Sequence, residues 1–184
     1  MKINEELATK ISHEIPKYSH GRYDLLPIFS HYELFNEIVE HLVEPFVDKV
    51  DVVCALEATG WILGTAMAQR LGVSFIPIRK GGKLPYDEEM IESVSLVDYS
   101  HETKKLCLKK EAIPSGSRIL LVDEWIETGA QLEAALNLLA KFPCEVVAAT
   151  TISIRQQPDK VRNLKWIEED FIHAVGTNIR RYEN

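Results

Sequence analysis

The chain has 184 residues, of which 46% are hydrophobic and 27% charged, and its length predicts one domain that buries roughly 70% of its unfolded surface. Its formal net charge of −7 argues against a nucleic-acid-binding protein, and the lack of an 18-residue apolar run argues against a membrane span. A polar start and three widely spaced cysteines predict a cytoplasmic protein with free thiols and no disulfide or zinc framework.

The N-terminal region predicts a helix followed by a loop. Asn4 is a suitable cap for a helix that runs to Ile15, and Pro16 ends it. Residues 17–24 are polar and aromatic and contain a glycine, which indicates a loop. This loop is either a plain connector or one wall of a ligand pocket.

A second helix is predicted from the pattern Ser30-x-x-Glu33, which has the form of a capping box. Apolar residues follow at helical spacing until Pro45, which ends the helix. We expect this helix to be structural.

The next segment predicts a buried strand, a turn and a helix. Residues 50–56 are mostly apolar, and residues 57–60 are a small-residue turn before a helix from about Trp61 to Leu71. Gly64 and its small neighbours make this helix slim enough for close packing on a sheet. A turn at a helix N-terminus offers free N–H groups to a phosphate.

Three cations follow the next predicted strand, residues 75–78. Arg79, Lys80 and Lys83 lie in a glycine-rich loop of an acidic chain. They either form a solvated basic turn or face a phosphate or pyrophosphate.

Residues 86–109 predict a mobile loop and a hairpin. Residues 86–92 are acidic and polar, and residues 93–99 and 105–109 alternate well enough to be paired strands. His101 at the predicted tip is interpreted as a solvated side chain.

The most informative stretch is Ile119–Gln131. An unbroken apolar run predicts a strand buried on both faces, and Asp123 and Glu124 follow it at the edge where open α/β sheets bind ligands. Residues 127–130 form a turn before a helix predicted over residues 131–142. Carboxylates that accept from hydroxyls, beside N–H groups that bind phosphate, suit a sugar phosphate, although an acidic pair after a strand is often only a solvated loop.

Residues 146–154 form a further strand rich in β-branched residues, and residues 155–184 predict a short element packed on the domain edge. The alternation of strands and helices over residues 50–154 predicts an α/β fold. Its sheet is mostly parallel, with helices on both faces.

These motifs together resemble the type I phosphoribosyltransferases, most closely the adenine branch. Ile119–Gln131 resembles the family signature for phosphoribosyl diphosphate (PRPP), and residues 75–85 nearly match its Arg-Lys-x-Gly-Lys-Leu-Pro segment. Glu57–Trp61 resembles Glu-Ala-Arg-Gly-Phe, Val97–Ser100 resembles Leu-Glu-Tyr-Gly on the hood of the family, and Tyr23–Pro27 resembles its base-binding segment.

The resemblance implies a purine phosphoribosyltransferase, with adenine as the expected base, that uses PRPP with bound Mg²⁺ and forms a homodimer. It implies one domain over residues 1–184. Its parts would be an N-terminal hood and base-binding segment (1–30), a core (50–154), a mobile loop (86–104) and a C-terminal extension (155–184).

It also implies roles for single residues. Asp123 and Glu124 would hold the ribose hydroxyls, and Asp98 on the hood would assist proton transfer at the purine. The 5′-phosphate would be bound by the turn residues Glu127, Thr128, Gly129, Ala130 and Gln131. Pyrophosphate would be bound by Ala58, Thr59, Arg79, Lys80 and Lys83. The base would contact Tyr23, Leu25 and Trp125.

The chain departs from the family pattern at several of these positions. Glu124 replaces Asp, Glu127 replaces Ala, Thr59 replaces Arg, and Ala130-Gln131 replaces Gly-Thr. Two alternatives therefore stay open: a non-catalytic PRPP or nucleotide sensor on the same fold, and a phosphoribosyltransferase for another base.

Overall fold

The computed structural model describes residues 3–16, 23–97, 103–155 and 171–179. Within these ranges it contains five α-helices and an eight-stranded sheet. The helices are α1 (Glu5–Glu14), α2 (Leu26–Ser30), α3 (Tyr32–Val43), α4 (Thr59–Leu71) and α5 (Ala130–Leu139). The strands are β1 (Val52–Leu56), β2 (Ser74–Lys80), β3 (Ile91–Val97), β4 (Thr103–Lys109), β5 (Arg118–Val122), β6 (Trp125–Ile126), β7 (Glu145–Ile154) and β8 (Ile172–Thr177).

The sheet is mostly parallel, as predicted. Its strand order is β3-β4-β2-β1-β5-β7-β6, with β8 also paired to β7. The β3–β4 hairpin is antiparallel and extends the sheet through an antiparallel pairing of β4 with β2. All other strand pairs are parallel. In the described ranges, no helix is both long enough and apolar enough to cross a membrane.

Two hydrophobic clusters cover the two faces of the sheet, and β1 contributes to both. Val53 and Ala55 belong to the cluster formed with α1, α3 and α4, whereas Cys54 and Leu56 belong to the cluster formed with α5. All five residues of β1 are buried. This two-sided burial is why the strand is uniformly apolar and does not alternate.

The cap of α1 is the predicted one, and it also joins the two ends of the fold. The side chain of Asn4 accepts a hydrogen bond from the N–H of Leu7 at 3.0 Å. The backbone N–H of Asn4 donates to the carbonyl of Val175 in β8 at 2.9 Å. The C-terminal segment thus contributes a parallel edge strand that fixes α1, in agreement with the predicted element at the domain edge.

The capping box predicted at Ser30 is wrong. Ser30 is the last residue of α2, and its hydroxyl donates to the carbonyl of Leu26 at 2.9 Å. Pro27 lies in the first turn of α2, where its fixed φ favours helix initiation ahead of the predicted start. His31 precedes α3 without a capping hydrogen bond from its side chain.

Two boundaries near the predicted phosphate turns also differ from prediction. Helix α4 begins at Thr59, two residues earlier than expected. Arg79 and Lys80 are not loop residues: they belong to β2, because they pair with Cys107 and Leu106 of β4. The hairpin itself is confirmed, and its tip, residues 98–102, lies outside the described residues.

The cysteines are free thiols, with Cys54 and Cys107 buried and Cys144 partly exposed. Burial raises the pKa of the Cys107 and Cys144 thiols, so both favour the neutral form. They behave as small apolar residues of the core.

A half-buried histidine beneath α3, His173, predicts acid sensitivity. The Nε2 atom of His173 lies 3.0 Å from the carbonyl oxygen of His41, and burial lowers the pKa of His173. Between the lowered pKa of folded His173 and the ordinary pKa of histidine, the unfolded chain therefore binds more protons than the folded chain. The contribution of neutral His173 to the free energy of unfolding is present above the ordinary pKa and is lost as pH falls through that range. We expect the Tm of the wild type to fall more steeply than that of His173→Gln when thermal unfolding is followed from neutral to mildly acidic pH.

The matched control for this prediction is His31→Gln, because His31 is an exposed histidine. Its Tm should follow the wild-type pH dependence. Parallel pH profiles for the wild type and His173→Gln would contradict a role of His173.

Candidate active site

The turn before α4 lies against the carboxyl end of β5, where the acidic pair begins. Strands β1 and β5 are parallel neighbours, so their carboxyl ends lie at the same edge of the sheet. A Cβ atom placed on Gly60 would lie 3.4 Å from both Asp123 Oδ1 and the carbonyl oxygen of Val122. The peptide bond between Glu57 and Ala58, in the first turn, is cis. One ligand can therefore reach both the first turn and the acidic pair.

The acidic pair combines a buried and a more exposed carboxylate. Asp123 is 5% exposed, and its Oδ1 atom accepts a hydrogen bond from the N–H of Glu124 at 3.0 Å. Burial, and then the charge of Glu124, raise the pKa of Asp123 well above its usual range, while the charge of Lys80 lowers it. A ligand that supplies hydroxyl donors or positive charge would relieve this cost of ionisation.

The second turn has the geometry of an anion-binding helix start. Gly129 has a φ of 78°, in the left-handed region that glycine adopts without strain, and it directly precedes α5. Thr128 is exposed, and its Oγ1 atom lies 3.4 Å from the N–H of Ala130. Gln131 is exposed in the first turn of α5, where N–H groups lack intrahelical partners.

A cation missed by the sequence analysis accompanies this turn. Arg155 follows β7, and its Nη1 atom lies 3.6 Å from Oε1 of Glu127. From the sequence alone, Arg155 belongs only to the predicted C-terminal extension. The available signal was its position just past the carboxyl end of a strand, the edge at which ligands bind.

The first turn contains a second residue that the sequence did not reveal, Glu57. Its carboxylate contacts the side chains of Arg79 and Lys83 and the backbone N–H of Lys80. Its side chain is 8% exposed and accepts from the N–H of Lys80 at 2.8 Å and from Lys83 Nζ at 2.5 Å. Burial raises the pKa of Glu57, but the hydrogen bonds from Lys83 and Lys80 outweigh it and the net shift is downward. Glu57 is therefore a largely buried carboxylate that anchors Lys83 and the end of β2.

Arg79 has a different environment from the one expected for a solvated loop. Its Nε atom lies 3.7 Å from Glu57 and has no hydrogen-bond partner among the described residues. Its guanidinium carbon lies 5.6 Å from the centre of the Trp61 ring, and Trp61 in turn donates to the carbonyls of Ala55 and Ile78. The indole thus fixes a platform that holds Arg79 near the turn.

Two of the three residues predicted to contact a base, Tyr23 and Trp125, lie together, and Trp125 directly follows the acidic pair. The rings of Tyr23 and Trp125 stack with their centroids 5.3 Å apart and 25° between their planes. Leu25 packs against the same hydrophobic cluster as both rings. Asp98, the predicted proton-transfer residue, lies outside the described residues, so its role stays a prediction.

Comparison with known proteins identifies the family. Residues 30–177 match the phosphoribosyl transferase domain family. The chain belongs to this family. It is 40% identical over 128 residues to the adenine phosphoribosyltransferase of Rhodopirellula baltica, covering 69% of this chain and 60% of that protein. It is 37% identical over 131 residues to the enzyme of Neisseria meningitidis serogroup C, covering 71% of this chain and 68% of that one.

The fold comparison gives the same family. The adenine phosphoribosyltransferase of Saccharomyces cerevisiae, solved with an imino-altritol bisphosphate and adenine, superimposes with a TM-score of 0.78 and 25% identity. The match covers 93% of this chain and 99% of the yeast chain. The matched segment spans less than two thirds of the Rhodopirellula relative. The chain thus belongs to the adenine phosphoribosyltransferase family, as its motifs predicted.

Proposed function

We propose that this chain transfers the 5-phosphoribosyl group of PRPP to adenine and releases AMP and pyrophosphate. The observation that carries the proposal is the position of Gly60, in the turn before α4, against the buried Asp123 carboxylate at the end of β5. PRPP carries a phosphate and a diphosphate on one pentose, and two adjacent anion-binding turns with carboxylates between them suit that arrangement.

The chemistry follows from the charges. Loss of pyrophosphate leaves positive charge on the ribose ring, and the carboxylates of Asp123 and Glu124 stabilise that charge while accepting from the ring hydroxyls. Lys83 and Arg79, anchored by Glu57, stand at the turn proposed for pyrophosphate. The hairpin that carries Asp98 would cover the site and exclude water during the transfer.

Mg²⁺ fits this site as a partner of PRPP. The described residues contain no cluster of three or more His, Cys, Asp or Glu side chains that could hold a metal. The oxygen donors present are the carboxylates of Asp123 and Glu124, and Mg²⁺ commonly takes one or two carboxylates and completes its shell with phosphates and water. When bound, it would neutralise charge on the leaving diphosphate.

The alternative of a non-catalytic sensor was motivated by Thr59 and Glu127. Arg155 lies opposite Glu127 and offsets its negative charge at the phosphate turn. Thr59 begins α4, and the nearby cations of Arg79 and Lys83 remain at the same turn. We therefore favour the enzyme over the sensor.

A base panel with PRPP and Mg²⁺ tests the proposal. Pyrophosphate release and AMP formation are expected with adenine, and slower reaction or none with hypoxanthine, guanine and xanthine. Conversion of none of these purines would overturn the proposal, and calorimetry showing PRPP or AMP binding without turnover would favour the sensor instead.

Replacement of Trp125 by alanine is expected to weaken binding of the base selectively. The indole packs with Tyr23 to form an aromatic wall, and base–aromatic stacking is worth about 1–3 kcal/mol per base. The KM for adenine should rise about tenfold or more, with a smaller change in the KM for PRPP. Steady-state kinetics with each substrate varied in turn measures both values.

Trp61→Phe is the matched aromatic control. Trp61 lies at the other turn, where its ring supports Arg79. This variant should leave the KM for adenine close to the wild-type value. Equal rises of the adenine KM in both variants would argue against a base-binding wall at Trp125.

The homodimer and the cytoplasmic location also belong to the proposal, since they follow from the family resemblance and composition. Sedimentation equilibrium of the purified chain tests the dimer: a molecular mass near twice 20.9 kDa is expected. A single species at the monomer mass would contradict it.

A further inference from the structure

The proposed phosphate turn lies in a segment rich in carboxylates and free of cations. Residues 119–139 contain four acidic residues and no lysine or arginine. A phosphate bound at this turn would lie near those carboxylates, and its attractive partners within the segment would all be uncharged: backbone N–H groups, the helix dipole and the hydroxyl of Thr128. Tight phosphate binding at this turn therefore requires a cationic side chain from another segment of the chain.

Arg155 supplies this positive charge, and backbone hydrogen bonds fix the position of the residue. Its N–H donates to the carbonyl of Ile126 at 2.8 Å, immediately after Ile126 pairs with Ile154 in the β6–β7 ladder. The Cα of Arg155 is thus held beside the first residue of the turn, Glu127, by the ladder and not by its flexible side chain.

The side chain of Arg155 is oriented by Glu127 and remains accessible. The Nη1 to Oε1 distance is 3.6 Å, and the two side chains are 42% and 46% exposed. This separation is longer than a hydrogen bond, so the guanidinium fork keeps N–H groups for another acceptor. Because Glu127 itself belongs to the turn, the contact keeps the cation at the rim of the anion-binding site.

We propose that Arg155 is a further phosphate-binding residue, and that Glu127 is the positioning residue that holds its guanidinium at the turn. Arg155 then donates charge-assisted hydrogen bonds to the 5′-phosphate of the sugar phosphate. Glu127 is neutralised in the same arrangement and does not repel the ligand. This inference rests on the proposed function for the identity of the substrate, but its chemistry requires only a sugar phosphate.

Ribose 5-phosphate is the appropriate probe, because it has the phosphate without the base or the diphosphate. Calorimetric titration of Arg155→Ala should show binding weakened about tenfold or more. In kinetics, the KM for PRPP should rise by a similar factor while kcat and the KM for adenine change little. Arg155→Lys should recover part of the affinity, since it restores charge without the fork.

The coupling with Glu127 is tested by a double-mutant cycle. In Arg155→Ala an unpaired Glu127 faces the phosphate, so Glu127→Ala/Arg155→Ala should bind ribose 5-phosphate more tightly than Arg155→Ala alone. Arg70→Ala is the control, because Arg70 forms an exposed pair with Glu40 at the far end of α4. It should leave the affinity unchanged.

The outcomes separate this inference from the proposed function. Wild-type affinity for ribose 5-phosphate in Arg155→Ala, a double variant no better than Arg155→Ala, or no wild-type binding of ribose 5-phosphate overturns the role of Arg155. Tight, Arg155-dependent binding of ribose 5-phosphate by a wild type that forms no AMP supports the inference and overturns only the proposed reaction.

Discussion

The variant Asp123→Asn/Glu124→Gln is expected to lose about 10³-fold or more in kcat/KM for PRPP while remaining folded. Both substitutions keep the shape of the side chain and remove its negative charge. The charge matters most in the transition state, when the ribose ring becomes positive, so kcat should fall more than affinity. AMP formation under saturating adenine measures the loss.

Stability should change in the opposite direction from activity. Burial and the neighbouring Glu124 raise the pKa of Asp123, so the folded state is destabilised by holding this carboxylate ionised. An amide removes that cost, so the Tm of the double variant should equal or exceed that of the wild type at neutral pH. Such a trade between stability and activity is expected of a functional carboxylate and not of a structural one.

Glu145→Gln is the control for the loss of one carboxylate. Glu145 is exposed and begins β7, at the edge of the sheet opposite the site. Its activity and Tm should match the wild type. Activity of the Asp123/Glu124 double variant within about tenfold of the wild type would show that the acidic pair does not act on the ribose, since a group acting in the transition state costs about 10²-fold or more.

The parts of the site that were predictable from the sequence are those encoded within one strand–turn–helix unit. The apolar run of β5, the acidic residues after it and the glycine before α5 are consecutive in the chain, and local sterics and burial determine their structure. The position of Asp123 at the carboxyl end of β5 follows from that order alone.

The parts that were missed depend on pairing between distant segments. Arg155 reaches Glu127 only because the two-residue strand β6 pairs with the end of β7. Arg79 joins β2 only because the β3–β4 hairpin adds to that edge of the sheet. Neither pairing has a local signature, since the hydrogen-bonding groups belong to the backbone and every residue carries them.

The error at Ser30 has a different origin, a competition between two local signals. The Ser-x-x-Glu pattern favours a helix start, but Pro27 favours one three residues earlier. The earlier start prevails, and the hydroxyl of Ser30 then donates to the carbonyl of Leu26, four residues before it. A side chain inside a helix can no longer cap the next one.

Replacement of Gly64 by alanine is expected to destabilise the protein by about 2 kcal/mol, although alanine is the better helix former. A Cβ on Gly64 would lie 2.6 Å from the Cβ of Ala55 and 3.0 Å from Cε2 of Phe75. Overpacking of a core costs about 1–3 kcal/mol, whereas the gain in helix propensity is about 1 kcal/mol. The short contact with Ala55 joins two atoms fixed to the backbone, so we expect a cost at the upper end of this range and a net loss.

Thermal unfolding and a rescue variant measure this balance. The Tm of Gly64→Ala should fall by about 4–8 °C, given about 2–4 °C per kcal/mol for a domain of this size. Ala55→Gly/Gly64→Ala removes the clashing Cβ and should be more stable than the sum of the single variants predicts. Thr65→Ala, at the next and exposed position of α4, is the control and should not lower the Tm.

The same substitution should also lower activity, because α4 carries the first turn of the site. A helix displaced from β1 moves Gly60 away from Asp123, and Thr59 moves with it. We expect kcat/KM for PRPP to fall at temperatures where Gly64→Ala is still folded, and to recover in Ala55→Gly/Gly64→Ala. A Gly64→Ala protein with unchanged Tm and activity would mean that α4 is not seated on β1 at this distance, and that Gly60 is held against Asp123 by other contacts.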